Sequence, residues 1–351
     1  MQSNNLRNSN IELLRIFAII LIVSCHFTLH GIVSVNSEDS FQVWKNGSIV
    51  NRFFSSIFSI GGDLGVGIFF SITGYFGIKM KSLSIRKIII PTMFYGCFCS
   101  LFYFVAVVFP EIFVTPSAAF KMFFVPCTSG IWWYVTAYIL LCAIAPTLNN
   151  IFLRLNFRGE IFTLVILWCL FFIDGISNGM ICHIEKAILY YLLGAFVRNS
   201  RISFNRIICL VMLYVSWGLF IVSFWGCAYD IKYLNIMYKM APFIFVPLAT
   251  VSILLYVCKI PEFKNKHINE ISRHIYSVYL IHDSFYARQI LWNGIIDIEY
   301  VYNMNLFPII FIVLVVVIFL VCVGFDFYAE KMYILVNNRI MNYIERTFYE
   351  K

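Results

Sequence analysis

The chain has 351 residues, is 61% hydrophobic and 19% aromatic but only 13% charged, and carries a formal net charge of +8 and a mean hydropathy of +0.84. A soluble domain holds about 25% charged residues and could not hide this much apolar surface, so a water-soluble fold is excluded and most of the chain is expected in lipid. No basic run interleaves with aromatics, which sets nucleic acid aside and assigns the surplus Lys and Arg to cytoplasmic loops.

The first predicted span, about residues 11–30, contains LLRIFAIILIVSCHFTLH (13–30). It is too long for a cleaved leader, lacks a small-residue cleavage site, and keeps two ionisable groups deep in an apolar run. Arg15 and His26 lie 11 residues apart. On a helix that spacing puts both side chains within about 20° of one face and about 16 Å apart along the axis. Buried ionisable groups are costly in lipid and normally face a cavity, so the pair is expected to line one passage. Glu12, three residues before Arg15, is placed to pair with it. Cys25 points about 100° away from His26, which argues against a Cys–His nucleophile. His30 follows one turn later; a lone HxxxH without further ligands is weak for a metal, so no metal is expected and His30 is assigned to the outer interface.

Nine further spans follow at about 53–78, 88–109, 131–149, 160–177, 185–198, 204–227, 239–258, 271–292 and 306–328. Stretches such as KMKSLSIRK, NNIFLRLNFRGE and KIPEFKNKHINEISR separate them. Residues 110–130 read as a lid or re-entrant element, and the short span 185–198 as tilted or partly interfacial. With the N-terminus inside, about 18 basic residues fall in cytoplasmic segments against about six outside. The fold class is therefore an all-α integral membrane protein of about ten helices with both termini cytoplasmic. Residues 1–328 form one membrane domain and 329–351 a short tail. The eleven cysteines, mostly inside apolar runs (Cys97, Cys99, Cys142, Cys169, Cys209, Cys322), read as packing residues.

Four stretches, in order, carry a resemblance. Arg15-x10-His26 within IELLRIFAIILIVSCHF, GVGIFFSITGYF (65–76), WWYVTAYILLCAIAP (132–146) and HIYSVYLIHDSF (274–285) resemble the signatures of the acyltransferase-3 family of bacterial membrane O-acyltransferases. Three departures stand out: Thr73 replaces the family's serine before glycine, Gly67 stands where the family has an acid, and Ile88 follows Arg86-Lys87 in place of a second arginine.

The resemblance implies a multi-pass enzyme of the bacterial inner membrane. It would move an acyl group, usually acetyl, from acyl-CoA to a hydroxyl of a surface polysaccharide or lipid-linked glycan. Acetyl-CoA is then the donor, membrane lipids the surroundings, and no metal takes part. Arg86, Lys87, Thr73 and Tyr75 become candidates for donor binding, with Lys79 and Lys81 near the same mouth. Cations suit phosphates, and neutral imidazole suits proton removal near pH 7. His26 is thus the expected general base, with Arg15 on the donor side; a transient acyl-histidine is the rival. Ser71, Thr73, Tyr75, Trp133 and Tyr134 are candidate oxyanion donors. Trp133, Tyr134, His282 and Asp63 are the further substrate-binding or supporting candidates. Asp63 and Asp174 are candidates for orienting His26, and Arg288 for glycan contact. The competing reading is a transporter or flippase for a glycan intermediate, which would use the same polar groups without acyl transfer. A polymerase or glycosyltransferase would want a large extramembrane loop, and a membrane sensor would make the charges structural.

Overall fold

The computed structural model describes residues 7–33, 40–80, 85–109, 112, 114–176, 182–199 and 204–348. Every regular element among them is helical. Seven helical segments are long and apolar enough to cross a membrane: Ser9–Ile32, Ile49–Gly77, Arg86–Ala106, Trp133–Phe152, Arg206–Ala228, Lys232–Val257 and Phe307–Leu335.

Helix α1 (Ser9–His26) starts where the Asn8 side chain accepts from the Asn10 amide, with Glu12 in the first turn against the positive end of the helix. It continues as a π-helix over Phe27–Ile32. The second span divides into α2 (Ile49–Phe58), capped by Ser48, and the glycine-rich α3 (Gly61–Gly77). Next come α4 (Arg86–Ser100), the short α5 (Pro116–Phe124), α6 (Trp133–Phe152) and α7 (Phe157–Ile176). They are followed by α8 (Cys182–Asn199), α9 (Arg206–Ala228) and α10 (Lys232–Val257). Segment 110–130, expected as a lid or re-entrant element, contains α5, which lies against α4; residues 110, 111 and 113 fall outside the described residues.

Helix α3 is the centre of the bundle, packed between α1 and α8. Small residues let backbones meet where lipid offers no hydrophobic drive for association. A Cβ on Gly74 would sit 1.8 Å from the Tyr191 carbonyl oxygen, and one on Gly194 would sit 1.8 Å from that of Ser71. Main chain touches main chain here, so neither position has room for a side chain. On the opposite face, a Cβ on Gly61 would lie 2.3 Å from the Leu21 carbonyl oxygen.

Helix α8, expected as tilted or partly interfacial, has Ala187, Leu189, Tyr190, Tyr191, Leu192 and Ala195 buried in the protein. Its charged start is accommodated because the Lys186 ammonium is paired with the Asp63 carboxylate of α3.

The segment expected as one helix over 271–292 is broken into pieces. A 3-10 turn (Ser272–His274) leads into α11 (Ile275–His282), and Asp283 then leaves helical geometry. A short helix, Phe285–Gln289, and a π-helix, Ile290–Ile295, follow. The polar triplet His282-Asp283-Ser284 interrupts the apolar run where it turns into the protein. The last helix, α12 (Phe307–Phe348), runs on through most of the expected tail, since good helix formers such as Ala329, Glu330, Lys331 and Met332 follow Gly324 without a breaker.

Candidate active site

The α1 stripe faces the protein. Arg15 donates to both Glu12 oxygens, at 3.2 and 3.3 Å. Glu12 is buried, accepts from the Ser272 hydroxyl as well, and has Arg7 at 3.8 Å. Two donors and the nearby Arg7 cation around one carboxylate hold the Arg15 end of the helix in a fixed network.

Arg15 lines a cavity of about 610 Å³ together with Arg7, Arg86, Lys87 and Arg273. Five cations here outnumber the two carboxylates that share the lining, Asp326 and Glu330. Glu330 is engaged by Arg273 at 2.7 Å. Asp326 is held by the Tyr95 hydroxyl and by His274 Nδ1, the latter at 2.8 Å. Arg86 and Lys87, expected at a cytoplasmic mouth, are part of this basic lining. Thr73 lines it too, its hydroxyl donating to the Phe69 carbonyl at 2.8 Å. Tyr75 does not: its hydroxyl accepts from Arg198 at 3.0 Å, and that guanidinium lies 4.9 Å from its ring centre. Lys79 is not part of the lining, and Lys81 lies outside the described residues.

His26 lines a second cavity of about 340 Å³, with His30, Asp63, Trp133, Lys239 and Asp283. Arg15 and His26, expected to line one passage, line two adjoining cavities whose linings have Ile22, Val66, Tyr134 and Tyr279 in common. The two tyrosine rings meet edge to face, their centres 5.7 Å apart. The Tyr279 hydroxyl is buried without a hydrogen-bond partner.

Around His26 the broken segment supplies the partners. His282 Nε2 lies 3.0 Å from His26 Nδ1, and the other nitrogen of His282 meets the Val278 carbonyl. His282 is buried behind His26 and lines neither cavity. Asp283 Oδ1 lies 3.4 Å from His26 Nδ1 and 3.7 Å from Arg288 Nη1. This oxygen is buried and makes ion contacts but no hydrogen bond. The carboxylate beside His26 is therefore Asp283 and not Asp63, which is committed to Lys186; the side chain of Asp174 lies outside the described residues.

His30 lies beside His26. Its ring centre is 5.2 Å from that of His26. Among the described residues, ligating atoms of His26, His30 and Asp283 all lie within 4.8 Å of one another, close enough to be considered for a cation. Tetrahedral zinc, with bonds near 2.0–2.2 Å, would need them drawn closer than that outer limit. Cys25 turns away as expected and donates to the Ser59 carbonyl at 3.2 Å.

Trp133 stands at the rim of the His26 cavity, stacked on the His183 ring at 4.4 Å, with the Lys186 ammonium 5.3 Å from its centre. Ser71 lines neither cavity; its backbone is consumed by the contact with Gly194. The departure at Gly67 has a steric cause. A Cβ there would lie 2.7 Å from Thr250 Oγ1 and 2.9 Å from the Tyr190 ring, so an acidic side chain has no space.

Sequence reasoning missed Asp283, although it adjoins His282 in the same quoted stretch. It also missed Tyr279 and counted Arg7 and Arg273 only as loop charges. An acid directly after a buried histidine was the available signal for the first.

No curated protein sequence and no solved structure matches this chain. A family model described as an acyltransferase domain matches residues 8–326, from the cap of α1 to the Asp326 that borders the basic cavity. The whole lining of the His26 cavity and most of that of the basic cavity fall within that range, and the chain belongs to the acyltransferase-3 family.

Proposed function

We propose that the protein transfers an acyl group, acetyl in the first instance, from cytoplasmic acyl-CoA to a hydroxyl of a cell-surface polysaccharide or its lipid-linked precursor. The setting is the inner membrane of a bacterium. The observation that carries this reading is the pair of back-to-back cavities, one ringed by cations and the other holding His26. The basic cavity suits the phosphates of coenzyme A, and the positive-inside bias of the loops puts it on the cytoplasmic side. Helices α7 and α8 and the broken segment around α11 then count as three further crossings, which makes ten and returns both termini to the cytoplasm.

The donor arm reaches from Arg15 toward the shared wall, where Tyr134 and Tyr279 part to admit the thioester. His26 takes the proton of the acceptor hydroxyl as its oxygen attacks the thioester carbonyl. The Tyr279 hydroxyl, having no partner of its own, donates to the developing oxyanion. Trp133 and Asp63, on the far cavity's rim, contact the sugar by stacking and hydrogen bonding.

Mass analysis of surface glycans from cells with and without the gene tests the reading: an acyl-sized mass on sugars, present only with the gene, is expected. His26→Ala should remove it, lowering transfer by about 10²–10⁴-fold, the usual worth of a positioned base, at an unchanged membrane level of the protein. Full acylation by His26→Ala would overturn the assignment.

A further inference from the structure

We infer that His26 works through Nε2, and that His282 is the positioning residue that makes this nitrogen the basic one. The inference rests on the acyl-transfer reading for its chemistry, but the proton arrangement stands on geometry alone. His282 has one ring nitrogen against the Val278 carbonyl oxygen, one turn back on α11. A carbonyl only accepts, so that nitrogen, Nδ1, carries a hydrogen. In a neutral imidazole the other nitrogen is then a bare acceptor. It stands 3.0 Å from His26 Nδ1, so the hydrogen between the two rings belongs to His26. His26 is left with a lone pair on Nε2.

Two further observations agree. The Asp283 carboxylate lies 3.4 Å from His26 Nδ1, where a second lone pair would be repelled and an N–H is attracted. The His26 ring also lines the second cavity, and its Nε2 makes no hydrogen bond to any described residue. The nitrogen aimed at His282 is occupied; the free one is available to a substrate.

The step balances as follows. The acceptor O–H gives its proton to His26 Nε2 while its oxygen bonds to the thioester carbon. The C–S bond breaks, the sulfur leaves as thiolate, and the proton on Nε2 passes to it, which restores neutral His26 and yields ester and thiol. During the step His26 is an imidazolium, and Asp283 is the negative charge nearest its Nδ1 face.

The test is nitrogen NMR of the full-length protein in detergent, labelled with ¹⁵N-histidine, the His26 signals being assigned by their loss in His26→Gln. The expected wild-type spectrum shows His26 with hydrogen on Nδ1 and none on Nε2; hydrogen on Nε2 overturns the inference. His282→Phe, which removes the acceptor, should shift His26 toward the other tautomer and lower transfer about 10²-fold. His282→Gln, whose amide oxygen can accept, should keep the Nδ1–H form and hold activity within about tenfold of wild type. An unchanged His26 spectrum in His282→Phe overturns the role of His282, and the wild-type spectrum decides even if that variant does not fold. An Nδ1–H spectrum in a protein without acyl transfer would sink the functional reading and leave the tautomer assignment intact.

Discussion

The two cavities are built on one helix and differ in almost everything else. The basic cavity gathers Arg7, Arg15, Arg86, Lys87 and Arg273 from three separate stretches of chain. The second cavity has a single lysine, Lys239, against Asp63 and Asp283, and its character comes from His26, His30 and Trp133. On the proposed reading the first is an anion trap in which several weak contributions add, and the second is a small site in which one ring, aimed by its neighbours, decides the outcome. Selectivity for a charged donor and chemistry at a neutral hydroxyl are then carried by different parts of the molecule.

Substitutions put that division to the test. The largest effect is expected where both cavities depend on the same contact. Gly74→Leu drives a side chain into the Tyr191 backbone, which cannot give way like a flexible side chain. It should cost upwards of about 3 kcal/mol and abolish accumulation of folded protein, read as loss of the monodisperse peak in detergent. The double substitution Arg86→Ala/Lys87→Ala should raise KM for acyl-CoA by about tenfold or more and leave kcat nearly unchanged, because it removes charge-assisted contacts to phosphate remote from the reacting atoms. Trp133→Ala is the mirror image. It should raise KM for the glycan acceptor about fivefold, with KM for acyl-CoA unmoved, in steady-state assays that vary each substrate in turn. Should either substitution move both constants equally, the division of labour is wrong. Tyr75→Phe should change either constant by less than about twofold, since its hydroxyl faces Arg198 and not a cavity.

The parts of the site that lie within one helix were legible, and those that lie between helices were not. The 100° step of α1 is enough to place Arg15 and His26 on one stripe and Glu12 within reach of Arg15, and the structure has both. The same step explains the failure at Tyr75. It is two residues after Thr73, so the two side chains point about 200° apart, and only one of a pair so spaced can face the basic cavity. The partner of His26 is 256 positions away in sequence, and periodicity carries no information about which distant segment will dock there. The interruption at His282-Asp283-Ser284 was hidden by the apolar residues on both sides of it. Helix α8 reads as tilted or partly interfacial because the span is short; the counter-charge that lets its Lys186 be buried, Asp63, sits on another helix.

The wall of Ile22, Val66, Tyr134 and Tyr279 is common to both cavities. A single substitution in it therefore reshapes two sites at once, and a change made to suit one occupant is imposed on the other. Residues on the unshared parts of each lining carry no such coupling, so they are the places where either site can vary alone.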